Sequence, residues 1–152
     1  MKALKKSIVW ITVLSLLFAL VSCGADPDSG SVRVVLESMN SEDGTPLTSY
    51  EVDLEKVEDG GLVGVLQYLK DNENIAFSMS GTMIEEVGSL YNDYAAGRYI
   101  YLFTSVERDF DVSEYKMTKE YEGKTLTSSG VGVSDMHLED GCVIYIAAVS
   151  FG

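Results

Sequence analysis

The chain has few of the residues from which active sites are usually built. Its 152 residues include one histidine, two cysteines, two prolines and one tryptophan. A usual zinc site needs three or four Cys or His ligands, which this set cannot supply. There is no G-x-S-x-G motif, and Gly130-Val131-Gly132 lacks the following helix that a phosphate loop requires. We therefore expect no enzyme activity, and the residues identify no cofactor.

Basic residues are also scarce. Eleven Lys and Arg stand against 24 Asp and Glu, which gives a formal net charge of −13. A nucleic-acid-binding protein needs a basic patch against phosphate, so that class is excluded. The acidity fits a secreted domain that is kept soluble by its charge, and it also fits a cation-binding protein.

A long apolar run without charge occurs only at the amino end, from Ile8 to Val21, after a basic start at Lys2, Lys5 and Lys6. The run is too short for a comfortable membrane span and ends in small residues, as a secretory signal does. The segment Leu20-Val21-Ser22-Cys23 resembles the lipobox of bacterial lipoproteins, position by position. In those proteins the chain is cut before the cysteine, whose thiol carries a diacylglyceryl group. The alternative is a plain signal peptide that ends near a cysteine.

The lipobox resemblance implies a division of the chain. Residues 1–22 form the signal peptide, residues 23–30 form the lipidated Cys23 with a short polar tether, and residues 31–152 form one domain. Two acyl chains hold a protein stably on a membrane, so the domain is expected outside the cytoplasm, anchored to membrane lipid. Cys142 then has no partner in the chain, and we expect it to be a small buried hydrophobe.

The rest of the chain predicts an α+β fold. Patterns of period two predict strands, first Ser31 to Ser38 and then around Tyr50, Val52 and Leu54, as a hairpin. An apolar stripe at i, i+3, i+4 and i+7 predicts one helix, capped by Asp59 and ended at 71–74; it comprises Leu62, Val65, Leu66 and Leu69. Further strands are predicted at 75–79, 83–87, 98–106, 124–126 and 143–149. The helix should pack on one face of a small mixed sheet.

Three segments give the domain a family resemblance. They are Leu62 to Leu69, Gly97 to Phe103 and Gly132 to Gly141. From about Val32 to Val149 the chain resembles the transcobalamin C-terminal-like domain, a domain common in bacterial surface lipoproteins. The resemblance implies a β-grasp-like fold. It also implies a corrinoid-like ligand, because in transcobalamin this domain covers a corrinoid. Ile100 stands where the family commonly has tryptophan, and Cys142 stands where an acid is frequent.

Tyrosines are dense between residues 91 and 101. Tyr91, Tyr94, Tyr99 and Tyr101 are the candidate ligand-binding residues, because tyrosine offers flat contact area and a hydroxyl at low entropy cost. Tyr91 and Tyr94 lie on a predicted loop between Leu90 and Gly97. The alternative for Tyr99, Tyr101 and Phe103 is that they form one inward face of the sheet.

Acidic residues cluster after the aromatic strand. Glu107, Asp109, Asp111 and Glu114 are candidate metal ligands, because carboxylates can converge on calcium. The alternative is a solvated loop. His137, the sole histidine, is interpreted as a structural residue at a strand edge, and any hydrolase activity would depend on it.

Together these features predict a lipid-anchored extracytoplasmic module without catalysis. Its partner would be either a small molecule, such as a corrinoid-like ligand, or another envelope protein. A calcium-binding envelope protein that uses the acidic loops is the alternative.

Overall fold

The computed structural model describes residues 29–39, 46–58 and 61–151. In this part of the chain one α-helix and nine strands form the domain. They are β1 (Ser31–Glu37), β2 (Pro46–Asp53), α1 (Gly61–Glu73), β3 (Phe77–Ser80), β4 (Met83–Val87), β5 (Leu90–Tyr91), β6 (Arg98–Thr104), β7 (Thr118–Tyr121), β8 (Lys124–Ser128) and β9 (Cys142–Ser150). The predicted α+β class is confirmed. No helix in the described ranges has the length and hydropathy of a membrane span.

The strands form two sheets. Six of them lie in the order β2-β1-β9-β6-β8-β7, and β3, β4 and β5 form a smaller sheet. Among the described strands of the large sheet, only β1 and β9 are parallel neighbours, and their pairs run from Val32–Cys142 to Leu36–Ile146. The predicted first hairpin is present, with Ser31 opposite Asp53, while residues 40–45 of its turn lie outside the described residues.

The helix packs on one face of the large sheet, as its apolar stripe predicts. Leu62, Val65 and Leu66 are wholly buried, and Leu69 is 1% exposed. They share a core with the inward residues of β1 and β9, including Val34 and Ile144. Asn74 follows α1 with a φ of 55°, a left-handed conformation that asparagine tolerates well, and so ends the helix. The predicted cap Asp59 lies outside the described residues.

The opposite face of the sheet is covered by its own last hairpin. β7 and β8 curl over this face and enclose a second core around Phe103, Leu126 and Tyr145. Two ion pairs connect the hairpin to β1: Lys119 Nζ lies 3.1 Å from the buried Glu37, and Arg33 lies 2.7 Å from Glu122. The curl reaches only the Phe103 end of β6, so the Tyr99 end of that face stays open.

The structure corrects some of the predicted boundaries. The predicted connection from Leu90 to Gly97 contains β5, which pairs with β4 at Glu86–Tyr91 and Val87–Leu90. The third strand begins at Phe77 rather than at residue 75. Both boundaries are set by main-chain pairing with β4, the neighbouring strand in the chain.

Candidate ligand-binding surface

Strand β6 carries its aromatic residues on one face, as the alternation predicts, but the two ends of that face differ. Phe103 is 1% exposed beneath the β7–β8 hairpin and meets Tyr145 edge to face, with ring centroids 6.3 Å apart. Tyr99 and Tyr101 are half-buried at the open end. Core packing therefore describes Phe103, whereas Tyr99 and Tyr101 remain accessible to a ligand.

Four rings meet at this open end, and we call them the aromatic surface: Tyr94, Tyr99, Tyr101 and Phe151. The centroids of Tyr94 and Tyr99 are 5.8 Å apart in an edge-to-face arrangement. Phe151 lies 6.2 Å from Tyr99 and 5.3 Å from Tyr101. Such offsets are favourable for aromatic pairs. Tyr94 and Phe151 are more than half exposed, so the cluster presents ring faces and edges to solvent.

The sequence analysis does not single out Phe151. Its position depends on Gly97, whose carbonyl accepts a hydrogen bond of 2.9 Å from the Phe151 N–H. Gly97 has a φ of +64°, and a Cβ at this position would lie 2.9 Å from the Phe151 carbonyl oxygen. The only sequence signal is an aromatic residue just after the closing strand, and the register that brings it beside Tyr101 is set by the β6–β9 pairing.

The turn before β6 is fixed by side chains. The Tyr94 hydroxyl lies 2.8 and 2.9 Å from the two carboxylate oxygens of Glu85, and this hydrogen bond raises the pKa of Tyr94. Asn92 connects two strands, because its amide donates to the Ile84 carbonyl and its oxygen accepts from the Ile100 N–H, both at 2.8 Å. The hydrogen bond to Glu85 keeps the phenol of Tyr94 neutral and orients it at the rim of the aromatic surface.

Tyr91, the fourth predicted binding residue, lies apart from this cluster. It is on β5, opposite Glu86, and is 50% exposed. Within the described ranges its ring contacts no other aromatic ring. Of the four predicted tyrosines, the structure brings Tyr94, Tyr99 and Tyr101 together.

A cleft of about 190 Å³ lies along the outer edge of β6. One wall is β6 itself and the other is the start of β4, while the loop after β8 closes one end. The lining is mainly apolar and comprises Thr82, Met83, Ile84, Ile100, Tyr101, Leu102, Ser129, Val131, Gly132 and Val133. Tyr101 belongs both to this lining and to the aromatic surface, so the cleft and the aromatic surface adjoin at this residue.

The predicted metal-ligating acids do not converge. Asp109 is 1% exposed and points inward, where its carboxylate accepts 2.7 Å and 2.6 Å hydrogen bonds from the backbone N–H and ring Nδ1 of His137. Asp111 accepts from the Ser113 N–H at 2.8 Å, which lowers the pKa of Asp111. Glu107 and Glu114 are exposed. No group of three or more His, Cys, Asp or Glu that could hold a metal ion occurs in the described part of the chain.

His137 is a structural partner of Asp109, although it lies outside the strands. Its ring is half-exposed, and the side chain of Asp109 is fully buried. A buried carboxylate is costly unless it is paired and hydrogen-bonded, and His137 supplies both contacts. An Asp–His pair is also part of a catalytic triad. In the described residues, however, no serine or threonine hydroxyl and no cysteine thiol hydrogen-bonds to this ring.

Cys142 is free and buried, as expected for a small hydrophobe. Its sulfur accepts a 3.4 Å contact from the Glu139 N–H. Burial raises the pKa of the thiol, so this cysteine is kept in its neutral form.

Comparison with known proteins gives a fold likeness and no family. No protein-family model matches the chain, and no curated protein matches it. Among solved structures, the chain is similar to a Ruminococcus gnavus protein described as a "putative metal binding protein". The TM-score is 0.51 at 11% identity, over 81% of this chain and 99% of the other. At this identity the likeness concerns the fold alone.

Proposed function

We propose that this chain is an extracytoplasmic, lipid-anchored module that binds a ligand through the aromatic surface without catalysing a reaction. The observation that carries the proposal is the open end of β6, where Tyr94, Tyr99, Tyr101 and Phe151 are in ring contact yet only partly buried. Aromatic groups left at a surface in a pre-formed cluster suit a flat ligand or a protein partner, because little ordering is needed on binding.

We infer further that the fold is β-grasp-like. A first hairpin, a helix packed across the sheet and a closing strand parallel to β1 at the sheet centre support this inference. The same features support the resemblance to the transcobalamin C-terminal-like domain. A corrinoid-like molecule is therefore the first small-molecule ligand to test, and Ile100 in place of a tryptophan removes one stacking ring from that comparison.

Calorimetry with cobalamins tests whether the aromatic surface binds a corrinoid-like small molecule. Binding heat that is lost in Tyr99→Ala with Phe151→Ala, and kept in Tyr115→Ala, supports it. Tyr115 is a suitable control because it is 79% exposed on another loop, outside the aromatic surface. Absence of heat together with an unchanged melting temperature excludes cobalamins. An envelope protein that co-purifies with the native chain and is lost in the same double variant supports a protein ligand.

The anchor has its own test. Cys23 lies outside the described residues, so this part of the proposal depends on the signal and lipobox pattern. Mass spectrometry of native material should show a chain that begins at a diacylated Cys23. Trp10 leaves with the signal, so the mature protein should have tyrosine-type fluorescence. An intact leader or a free thiol at residue 23 contradicts the anchor and leaves the ligand test unaffected.

Cation binding is the second candidate function. The description of the similar R. gnavus protein and the acidity of the chain favour it. Calcium should then raise the melting temperature more than magnesium at equal ionic strength, and a chelator should reverse the effect. The acids of segment 107–114 do not converge in the described structure, so this candidate assigns no ligand residues, and equal effects of calcium and magnesium would exclude it.

A further inference from the structure

We propose that the cleft beside β6 binds an extended basic peptide segment, which adds as a short strand to the open edge of β6. This site adjoins the aromatic surface at Tyr101, but it uses the outer edge of β6 and does not depend on the lipid anchor. It follows from the main-chain groups that line the cleft.

The outer edge of β6 is paired only in part. β8 pairs with it at Phe103 and Thr104 alone. The main-chain groups of Arg98 bond to Asp93, the Ile100 N–H donates to Asn92 at 2.8 Å, and the Leu102 carbonyl accepts from Ser129 at 2.8 Å. The Ile100 carbonyl and the Leu102 N–H have no hydrogen-bond partner among the described residues. Both belong to the edge that faces the cleft.

These two groups form a matched acceptor and donor. In a parallel ladder, one residue donates its N–H to the carbonyl of residue i−1 and accepts from the N–H of residue i+1 on the neighbouring strand. With Tyr101 as residue i, the Ile100 carbonyl and the Leu102 N–H are such a pair. Unpaired strand edges are templates for another chain, and peptide recognition by strand addition uses them.

The cleft also offers a place for one peptide side chain. Ile100 and Leu102 pack on the helix side of the sheet, and Ile84 and Val133 belong to the same core. Met83 at the mouth is 53% exposed. In an added strand, the residue paired with Tyr101 lies on the Tyr101 face, whereas the residues before and after it point to the helix side, where one apolar side chain can fill this 190 Å³ space. Only an uncharged residue is compatible with that lining.

Charge selects the kind of peptide. The chain carries 24 acidic residues against 11 basic ones. Acids lie beside the edge and the lining: Glu85 contacts Asn92, Asp93 pairs with Arg98, and Asp135 lies 3.9 Å from the Cβ position of Gly132. Lysine or arginine on either side of the apolar residue is therefore favoured, and an acidic segment is repelled. Asn92 and Ser129 close the two ends of the open edge, so the pairing is short and the complex is expected to be weak.

Solution NMR with the full chain in detergent tests the proposal. The probe is the capped peptide acetyl-Lys-Val-Thr-Val-Lys-amide, compared with the same peptide N-methylated at threonine and with one that has glutamate for both lysines. We expect the first peptide to shift the Leu102 amide signal and slow its hydrogen exchange. N-methylation removes the donor to the Ile100 carbonyl and should weaken binding about tenfold or more, which corresponds to about 1.4 kcal/mol.

Two variants localise the site. Met83→Ala should weaken binding about threefold, whereas Val112→Ala, which alters a side chain that is 95% exposed on another loop, should not. Phe151→Ala, which alters the aromatic surface on the side of β6 that faces β9, should leave peptide binding unchanged and so separates this proposal from the aromatic surface. The proposal is overturned if the peptide leaves the Leu102 amide unaffected, or if N-methylation or the glutamate exchange has no effect. It is also overturned if Leu102 becomes protected with rising protein concentration alone, because a second copy then covers the edge.

Discussion

At the scale of single residues, the described part of the chain has two buried acidic side chains, each with one defined partner. Asp109 is held by His137, and Glu37 is held by Lys119, whose Nζ also lies 5.4 Å from the centre of the Tyr145 ring. Buried charges are usually paired in this way, and removal of one partner leaves the other without compensation. The sole histidine of the chain therefore has a structural role in the folded domain.

Asp109→Ala should destabilise the domain by about 1–3 kcal/mol, because it leaves the backbone N–H of His137 without its acceptor. Urea denaturation measures the change. Glu107→Ala, two residues earlier and exposed, is the matched control and should stay within about 0.5 kcal/mol of the parent. An equal loss in both variants would contradict the role assigned to the Asp109–His137 pair.

Tyr145 should make the stability depend on pH in alkaline solution. Burial, and then the charge of Glu37, raise its pKa to about 12 from the ordinary value of 10.0. Between these values the unfolded chain loses the phenolic proton and the folded chain keeps it, so the free energy of unfolding falls as the pH rises from 10 to 12. Below pH 10 this group contributes no slope.

Comparison of Tyr145→Phe with the parent isolates this contribution, since lysines also titrate in the range. The decline of stability between pH 10 and 12 should be smaller in Tyr145→Phe, and Tyr115→Phe, which alters an exposed tyrosine, should follow the parent. A parallel decline in all three proteins would show that Tyr145 ionises normally.

At the scale of elements, β6 determines both candidate sites. One face of the strand changes from sealed to open between Phe103 and Tyr101, and its outer edge changes from paired to unpaired between Phe103 and Leu102. Both changes have the same cause, because the β7–β8 hairpin is short and reaches only one end of β6. The aromatic surface and the cleft therefore depend on the length of the β7–β8 hairpin as much as on the tyrosines of β6.

Gly97→Ala tests the link between the turn before β6 and the aromatic surface. The left-handed φ alone costs a non-glycine residue about 1–2 kcal/mol, and the contact with the Phe151 carbonyl adds to it. Gly123→Ala is the matched control, because Gly123 has a φ of +77° but no atom within 4 Å of its Cβ position. Gly97→Ala should be the more destabilising, and it alone should shift the NMR signals of Tyr99, Tyr101 and Phe151. Equal losses with unchanged ring signals would contradict the prediction.

At the scale of the whole molecule, the charge balance dominates. The net charge of −13 implies self-repulsion in the folded state, and the basic residues that join β1 to the last hairpin, Arg33 and Lys119, offset it locally. The repulsion is spread over the surface, where salt screens it well. Exposed ion pairs such as Arg33–Glu122 contribute about 0–1 kcal/mol, so their loss in salt is a small effect.

Sodium chloride should therefore raise the melting temperature of this protein. Repulsion among many exposed acids is reduced as the Debye length falls from about 10 Å at 0.1 M to about 3 Å at 1 M. Thermal denaturation over this range measures the change. A fall in the melting temperature would mean that attractive pairs outweigh repulsion, contrary to the charge count. The comparison of calcium with magnesium belongs at one fixed ionic strength for the same reason.

The sequence predicts elements well and contacts between distant elements poorly. The stripe of Leu62, Val65, Leu66 and Leu69 predicts α1, and the alternation of Tyr99 to Thr104 predicts β6 with its two faces. These patterns are local, since each needs only the period of one element. The sequence predicts neither β5 nor the inward position of Asp109. β5 has two residues, too few to show an alternation, and Asp109 is held by His137, 28 residues later in the chain.

By itself, the sequence determined the α+β class, the apolar faces of the helix and strands, the acidity and the lipobox pattern, all of which depend on composition and short periods. Only the tertiary structure decided that Asp109 accepts hydrogen bonds from His137, that Phe151 contacts Tyr99 and Tyr101, and that one end of β6 stays open. Those three features depend on which strands become neighbours and how far the sheet curls. Strand order and curl are properties of the whole packed chain, and no local spacing encodes them.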